Sequence, residues 1–162
     1  MSPDDLSAFI PAGWTGKLPP CLIQVSPEGE LSTNGAPMIH PGILELIFAS
    51  VHLEDGVYLL RVGQQQCQLE VADTFFVVKS VDLGPESASL TLNDGSREPL
   101  DPAGLWLGEN GVLYCRVKGG GFPARFIRQA YYQIAEAIVE SGDGFALRLG
   151  GRDHAIAAAP PA

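Results

Sequence analysis

Two spacings of apolar residues alternate along this chain. Residues 22–26 and 30–33 flank Pro27-Glu28-Gly29, and a turn there predicts a hairpin of two short strands. From Pro41 onward Ile43, Leu44, Ile47, Phe48 and Val51 recur at helical spacing. Proline is tolerated in a first helical turn, so this predicts a buried amphipathic helix, capped by His40 and ended by Glu54-Asp55-Gly56. Residues 57–62, 66–71 and 74–81 are rich in β-branched and aromatic side chains and predict three successive strands. In the second, Cys67, Leu69 and Val71 alternate with Gln66, Gln68 and Glu70, the period of a sheet with one wet face.

Further along, residues 89–92, the turn Asn93-Asp94-Gly95 and the punctuated stretch 99–104 predict a hairpin with a short connection. A strand over 112–117 turns Leu113, Cys115 and Val117 inward and sets Tyr114, Arg116 and Lys118 on the other side. Gly119-Gly120-Gly121 breaks it. Between 124 and 141, Ile127, Ala130, Tyr131, Ile134 and Ile138 share one side at about 100° per residue, predicting a second helix closed by Gly142-Asp143-Gly144. A last hairpin over 145–149 and 155–157 turns at Gly150-Gly151. At the start, Ser2-Pro3-Asp4-Asp5 has the order of a helix N-cap and first turn.

Strand, helix, Asp-Gly turn and strands thus occur twice. The fold class read from this is α+β, with two similar halves, each a small, mostly antiparallel sheet packed on one helix. Residues 1–83 and 84–157 are the expected halves, and 158–162, alanine and proline with little to bury, the expected disordered tail.

Composition narrows function by exclusion. Of 162 residues 46% are hydrophobic, enough for a core, and 19 acids against 10 bases give a net charge of −9. Such a surface repels nucleic acid and anionic lipid. Asp4 and Asp5 stand where a secretory leader carries positive charge and no long apolar run follows, so a cytoplasmic protein without membrane association is expected. Cys21, Cys67 and Cys115 are odd in number and far apart, which predicts neither a disulfide framework nor a metal site; Cys67 and Cys115 read as small core residues. No cofactor motif is present. His40, His52 and His154 lie in no metal or catalytic spacing, and G-x-S-x-G is absent, so no catalytic residue is assigned.

One stretch departs from the acidic background. Residues 110–135 hold Arg116, Lys118, Arg125 and Arg128 and no acid. A glycine turn leading into a helix offers backbone N–H groups and a positive dipole end, and arginine adds paired donors for carboxylate or phosphate. The candidate ligand site is therefore Tyr114, Arg116, Lys118, Gly120, Gly121, Arg125, Arg128 and Tyr132. Its expected partner is a small anionic ligand or an acidic protein segment. The competing reading has these bases paired internally with acids such as Glu28, Glu30, Glu70 or Asp73.

Finally, Ile23-Gln24-Val25, Glu28-Gly29, Gly35-Ala36-Pro37-Met38-Ile39, Asp55-Gly56-Val57-Tyr58-Leu59 and Val71-Ala72-Asp73-Thr74-Phe75-Phe76-Val77 resemble a bacterial family, domain of unknown function 1285. Residues 114–116 and 124–132 resemble its closing segment. The resemblance implies two repeated α+β motifs, a C-terminal half similar to pleckstrin-homology folds, ligand binding near the junction of the halves, and a link to signal transduction. It brings no catalytic residues. The reading is a non-catalytic ligand-binding or regulatory protein. The alternatives are a structural protein forming a homodimer, or a small hydrolase using His40 or His52 with an acid.

Overall fold

The computed structural model describes residues 6–14, 16 and 18–161. The helix expected from Ser2 to Asp5 lies outside the described residues. The chain divides into two compact units, residues 1–75 and 76–162.

In the first unit β1 (Pro20–Val25), β2 (Leu31–Thr33) and β3 (Ala36–Pro37) form a meander, followed by α1 (Pro41–Ser50) and a second meander of β4 (Val51–Glu54), β5 (Val57–Val62) and β6 (Gln65–Val71). The six strands make one sheet in the order 3-2-1-6-5-4. Its central pair, β1 and β6, is parallel, with Val25 beside Val71, and every other pairing is antiparallel. Cys21, Ile23 and Val25 of β1 are buried at alternate positions, as are Cys67 and Leu69 of β6. Ile47 of α1 is fully buried, and Phe48 meets Phe75 edge to face at 5.4 Å.

Two expectations fail here. The first helix ends at Ser50, whose hydroxyl donates to the Leu46 carbonyl at 2.6 Å. Residues 51–54 are a strand, with Val51 opposite Leu60. Val51 satisfied the helical spacing by coincidence; Val51 and Leu53 alternate with exposed His52 and Glu54, which is sheet period. Secondly, Cys21 and Cys67 are joined in a disulfide, their Cα atoms 5.0 Å apart. The bridge spans the two central strands, which are parallel neighbours despite lying 46 residues apart in sequence. No local spacing could reveal it.

The second unit repeats that topology. β7 (Phe76–Leu83), β8 (Ala88–Leu92) and β9 (Arg97–Pro99) precede β10 (Trp106–Leu107), β11 (Leu113–Val117) and β12 (Phe122–Phe126). Read from β9, the sheet runs 9-8-7-12-11-10, and again the first strand and the last are parallel, with Phe76 beside Ala124. β7, counted with the first half in sequence, thus takes its partners from the second unit. α2 (Arg128–Ala135) follows β12 instead of separating the meanders and lies on β7 and β12. β13 (Ile138–Ser141), β14 (Gly144–Leu149) and β15 (Arg152–Ala155) then form a third, three-stranded antiparallel sheet.

The second helix is therefore shorter than the expected 124–141. Ala124 and Phe126 are buried and alternate with half-buried Pro123 and Arg125, and the Ile127 N–H donates to the Val78 carbonyl at 3.2 Å, so this segment belongs to the sheet. Within α2, Ala130 and Ile134 are buried, as the spacing required. The second strand of the last hairpin is Arg152–Ala155, where 155–157 was expected, and Ala157 is instead tied to the six-stranded sheet. The Ala157 N–H donates to Leu105, and the Ala157 carbonyl accepts from Leu107 at 2.9 Å.

Candidate functional site

The eight residues singled out in the sequence separate into two groups. Gly120 and Gly121 lie in the hairpin turn between β11 and β12, so the glycine run leads into a strand and not into a helix. Their N–H groups are used within the turn, Gly120 donating to Val117 at 3.2 Å and Gly121 to Lys118 at 3.3 Å. Gly120 has φ +87, a conformation that glycine adopts readily. The turn therefore presents no cradle of N–H groups for an anion, and the expected helix-end arrangement at the triple glycine is corrected.

Lys118 is committed to the protein itself. Its ammonium donates to Asp94 at 2.6 Å and to the Ser96 hydroxyl at 2.9 Å, and lies 5.2 Å from the centre of the Phe76 ring. Its backbone N–H donates to both oxygens of Glu98 at 3.2 Å. Asp94 accepts further bonds from the Ser96 N–H and hydroxyl. Burial works to raise the Asp94 pKa, but Lys118 and Ser96 outweigh it and hold the carboxyl below its ordinary value. Arg116 lies over the Trp106 ring at 5.5 Å and donates to the Pro161 carbonyl at 3.0 Å. Tyr114 stacks on the same Trp106 at 5.4 Å. These three residues hold the sheet and the C-terminal segment together.

Arg125, Arg128 and Tyr132 do converge. They line a cavity of about 220 Å³, together with Gly111 to Leu113 of the turn into β11, Phe126 and Tyr131. Among the described residues no acidic side chain lines it. Arg125 is half-buried on β12 opposite Tyr114; Arg128 is the exposed first residue of α2 and forms no ion pair among the described residues. No side chain caps α2, whose N-cap position is Ile127, so the positive end of the helix opens beside Arg128. Tyr132 is 63% exposed and tilts against Tyr131 with ring centres 6.2 Å apart. Along the outer face of α2 a shallower hollow of about 560 Å³ is lined by Arg128, Gln129, Tyr132, Gln133 and Glu136.

Architecture offers a comparison where individual motifs do not. A DUF1285 family protein from Silicibacter pomeroyi DSS-3 superposes with a TM-score of 0.69 over 92% of this chain and 91% of its own, at 17% identity. The fold is that of the DUF1285 proteins. A second DUF1285 protein, from Shewanella baltica OS155, agrees with a TM-score of 0.60, again at 17% identity, covering 71% of this chain and 91% of its own. No protein-family model and no curated protein matches the sequence. The DUF1285 likeness is thus one of architecture: α+β, with two similar six-stranded sheets.

Within this DUF1285 fold, Tyr131 was missed as a cavity residue because its helical position lies beside the buried stripe. Gly111 to Leu113 were missed because nothing local marks which helix their turn faces. The other candidates for chemistry have structural tasks. His40 accepts the Ile43 N–H on Nδ1 at 3.2 Å as the N-cap of α1. Cys115 is buried on β11, and burial, with Glu98 adding to it, pushes its thiol far above the ordinary range, so it stays protonated. Among the described residues no three His, Cys, Asp or Glu side chains are grouped to hold a metal ion, and no helix is long and apolar enough to cross a membrane.

Proposed function

We propose that this protein is a non-catalytic binding protein that takes a small anionic ligand in the cavity between α2 and the turn into β11. One observation carries the reading: two arginines and two tyrosines line a single hollow that, among the described residues, no acidic side chain lines, in a chain of net charge −9. Arg128 supplies a planar pair of donors, the uncapped start of α2 supplies backbone N–H groups, and the tyrosine rings supply a flat apolar wall. An acidic segment of a partner protein, the second reading, is favoured by the longer hollow on the outer face of α2, which also begins at Arg128. The signalling role implied by the DUF1285 resemblance belongs to this proposal, with the bound anion as the signal.

Titrating the intact chain with inorganic phosphate, with citrate and with an acidic peptide, followed by thermal shift, separates these outcomes. Stabilisation by phosphate or citrate that disappears in Arg128→Ala and persists in Arg116→Ala supports the small-anion site. Stabilisation by the peptide alone moves the reading to the outer face. No response to any of the three discards it. The cytoplasmic setting expected from the sequence is tested separately, since thiols are kept reduced in most cytosols. Lysates quenched with an alkylating reagent should yield Cys21 and Cys67 modified if the protein resides there, and bridged if it does not.

A further inference from the structure

The β14–β15 hairpin carries charges on both faces, and the two faces treat them differently. On one face Arg148 and Asp153 stand opposite one another and close a two-pronged ion pair, at 2.8 and 3.0 Å. On the other face Arg152 is opposite Leu149 and His154 is opposite Leu147. Leu147 is fully buried and Leu149 nearly so, whereas Arg152 on the edge strand β15 is exposed and His154 half-buried. Here Arg152 and His154 line a hollow of about 440 Å³, within the range of small-molecule sites.

Glu86, in the turn between β7 and β8, lines the same hollow, as do Pro102 and Gly150. Gly150 brings the hairpin turn close to the Glu86 turn. A Cβ on it would lie 3.3 Å from Glu86 Cα and Cγ, a tight contact, and its φ is +58, a conformation that favours glycine. Although Glu86 and Arg152 share the hollow, neither forms an ion pair among the described residues. Opposite charges that line one hollow without pairing match a guest that carries both signs. A simple anion would meet Arg152 but also face Glu86, and a simple cation the reverse.

We propose that this hollow is a second binding site, selective for a small zwitterion of the α-amino-acid type, its carboxylate on Arg152 and its ammonium on Glu86, with His154 as a further hydrogen-bonding group. It shares no residue with the Arg125–Arg128 cavity and does not depend on that reading.

The test uses the intact chain and L-alanine, L-glutamine and L-phenylalanine, each beside its N-acetyl and its carboxamide derivative. Binding is followed by calorimetry and by amide shifts of Gly150, Gly151 and His154. At least one amino acid is expected to bind and shift these amides, and its two single-charge derivatives to bind about tenfold or more weakly. Glu86→Gln is expected to weaken the amino acid by a similar factor while strengthening the N-acetyl derivative, which then meets no carboxylate. Arg152→Gln should likewise weaken the amino acid and strengthen the carboxamide. Both side chains are exposed, so the variants keep the native circular dichroism. Arg128→Ala, in the other cavity, should alter none of these titrations. The proposal is overturned if none of the three amino acids shifts the hairpin amides, if single-charge derivatives bind equally well, or if binding survives Arg152→Gln.

Discussion

The two units have sheets of one topology, 3-2-1-6-5-4 and 9-8-7-12-11-10, yet they are secured by different means. In the first, a covalent bridge joins the parallel central strands, and the helix stands between the meanders with its start capped by His40. In the second, the central strands carry no such bridge. Lys118, Asp94 and Ser96 instead tie the β11–β12 turn to the β8–β9 turn, and the helix follows the sheet with its start uncapped by any side chain. A common topology therefore constrains where strands pair, while the connections and polar ties are free to vary. The candidate anion cavity arises at one of those differences, where the uncapped α2 begins beside β12.

The bridge offers the largest test of that contrast. It closes 46 residues of sequence, for which the chain-entropy model gives about 4 kcal/mol. Replacing both Cys21 and Cys67 by alanine should weaken hydrogen-exchange protection in β1 and β6 by about that amount, while β7 and β12 lose little. Equal losses in both units would mean that they unfold as one.

The Lys118 tie ranks next. Lys118→Met leaves the largely buried Asp94 carboxylate without its cation and should cost the second unit about 2 kcal/mol at neutral pH in urea unfolding. A depressed Asp94 pKa adds stability above the unfolded-state value, about 4. That stability is lost as pH falls through the lower folded value. The wild-type chain should lose it on acidification, and Lys118→Met should show a shallower loss over the same window.

The smallest effect lies at His40. Making α1 as bare at its start as α2, through His40→Ala, should cost about 0.5–1 kcal/mol, and His40→Asn should restore most of it. A loss of several kcal/mol would assign His40 a further role.

Local order was legible in the sequence to the extent that it rests on local rules. Pro41 and His40 marked the start of α1, the alternation of Leu113, Cys115 and Val117 marked β11, and Ala130 and Ile134 marked the buried stripe of α2. Element ends were obscured where two periods coincide: Val51 fits both a helix and a strand, and Ala124 and Phe126 precede a true helix at sheet spacing. The pairings of β1 with β6 and of β7 with β12 have no local signature, and the disulfide depends on the first of them. For the candidate site, charge segregation singled out Arg125 and Arg128, which line one hollow. It could not show that Lys118 already has Asp94, because that carboxylate lies outside the acid-free stretch.

Seating the first strand of a unit against its last also orders events in time. As the chain leaves the ribosome, β1 has β2 at one flank but an open edge at the other until residue 71 has emerged, and β7 waits likewise for residue 126. Each unit must therefore shield a half-finished central strand throughout its own synthesis, the interval in which an unfilled edge is most open to a wrong neighbour.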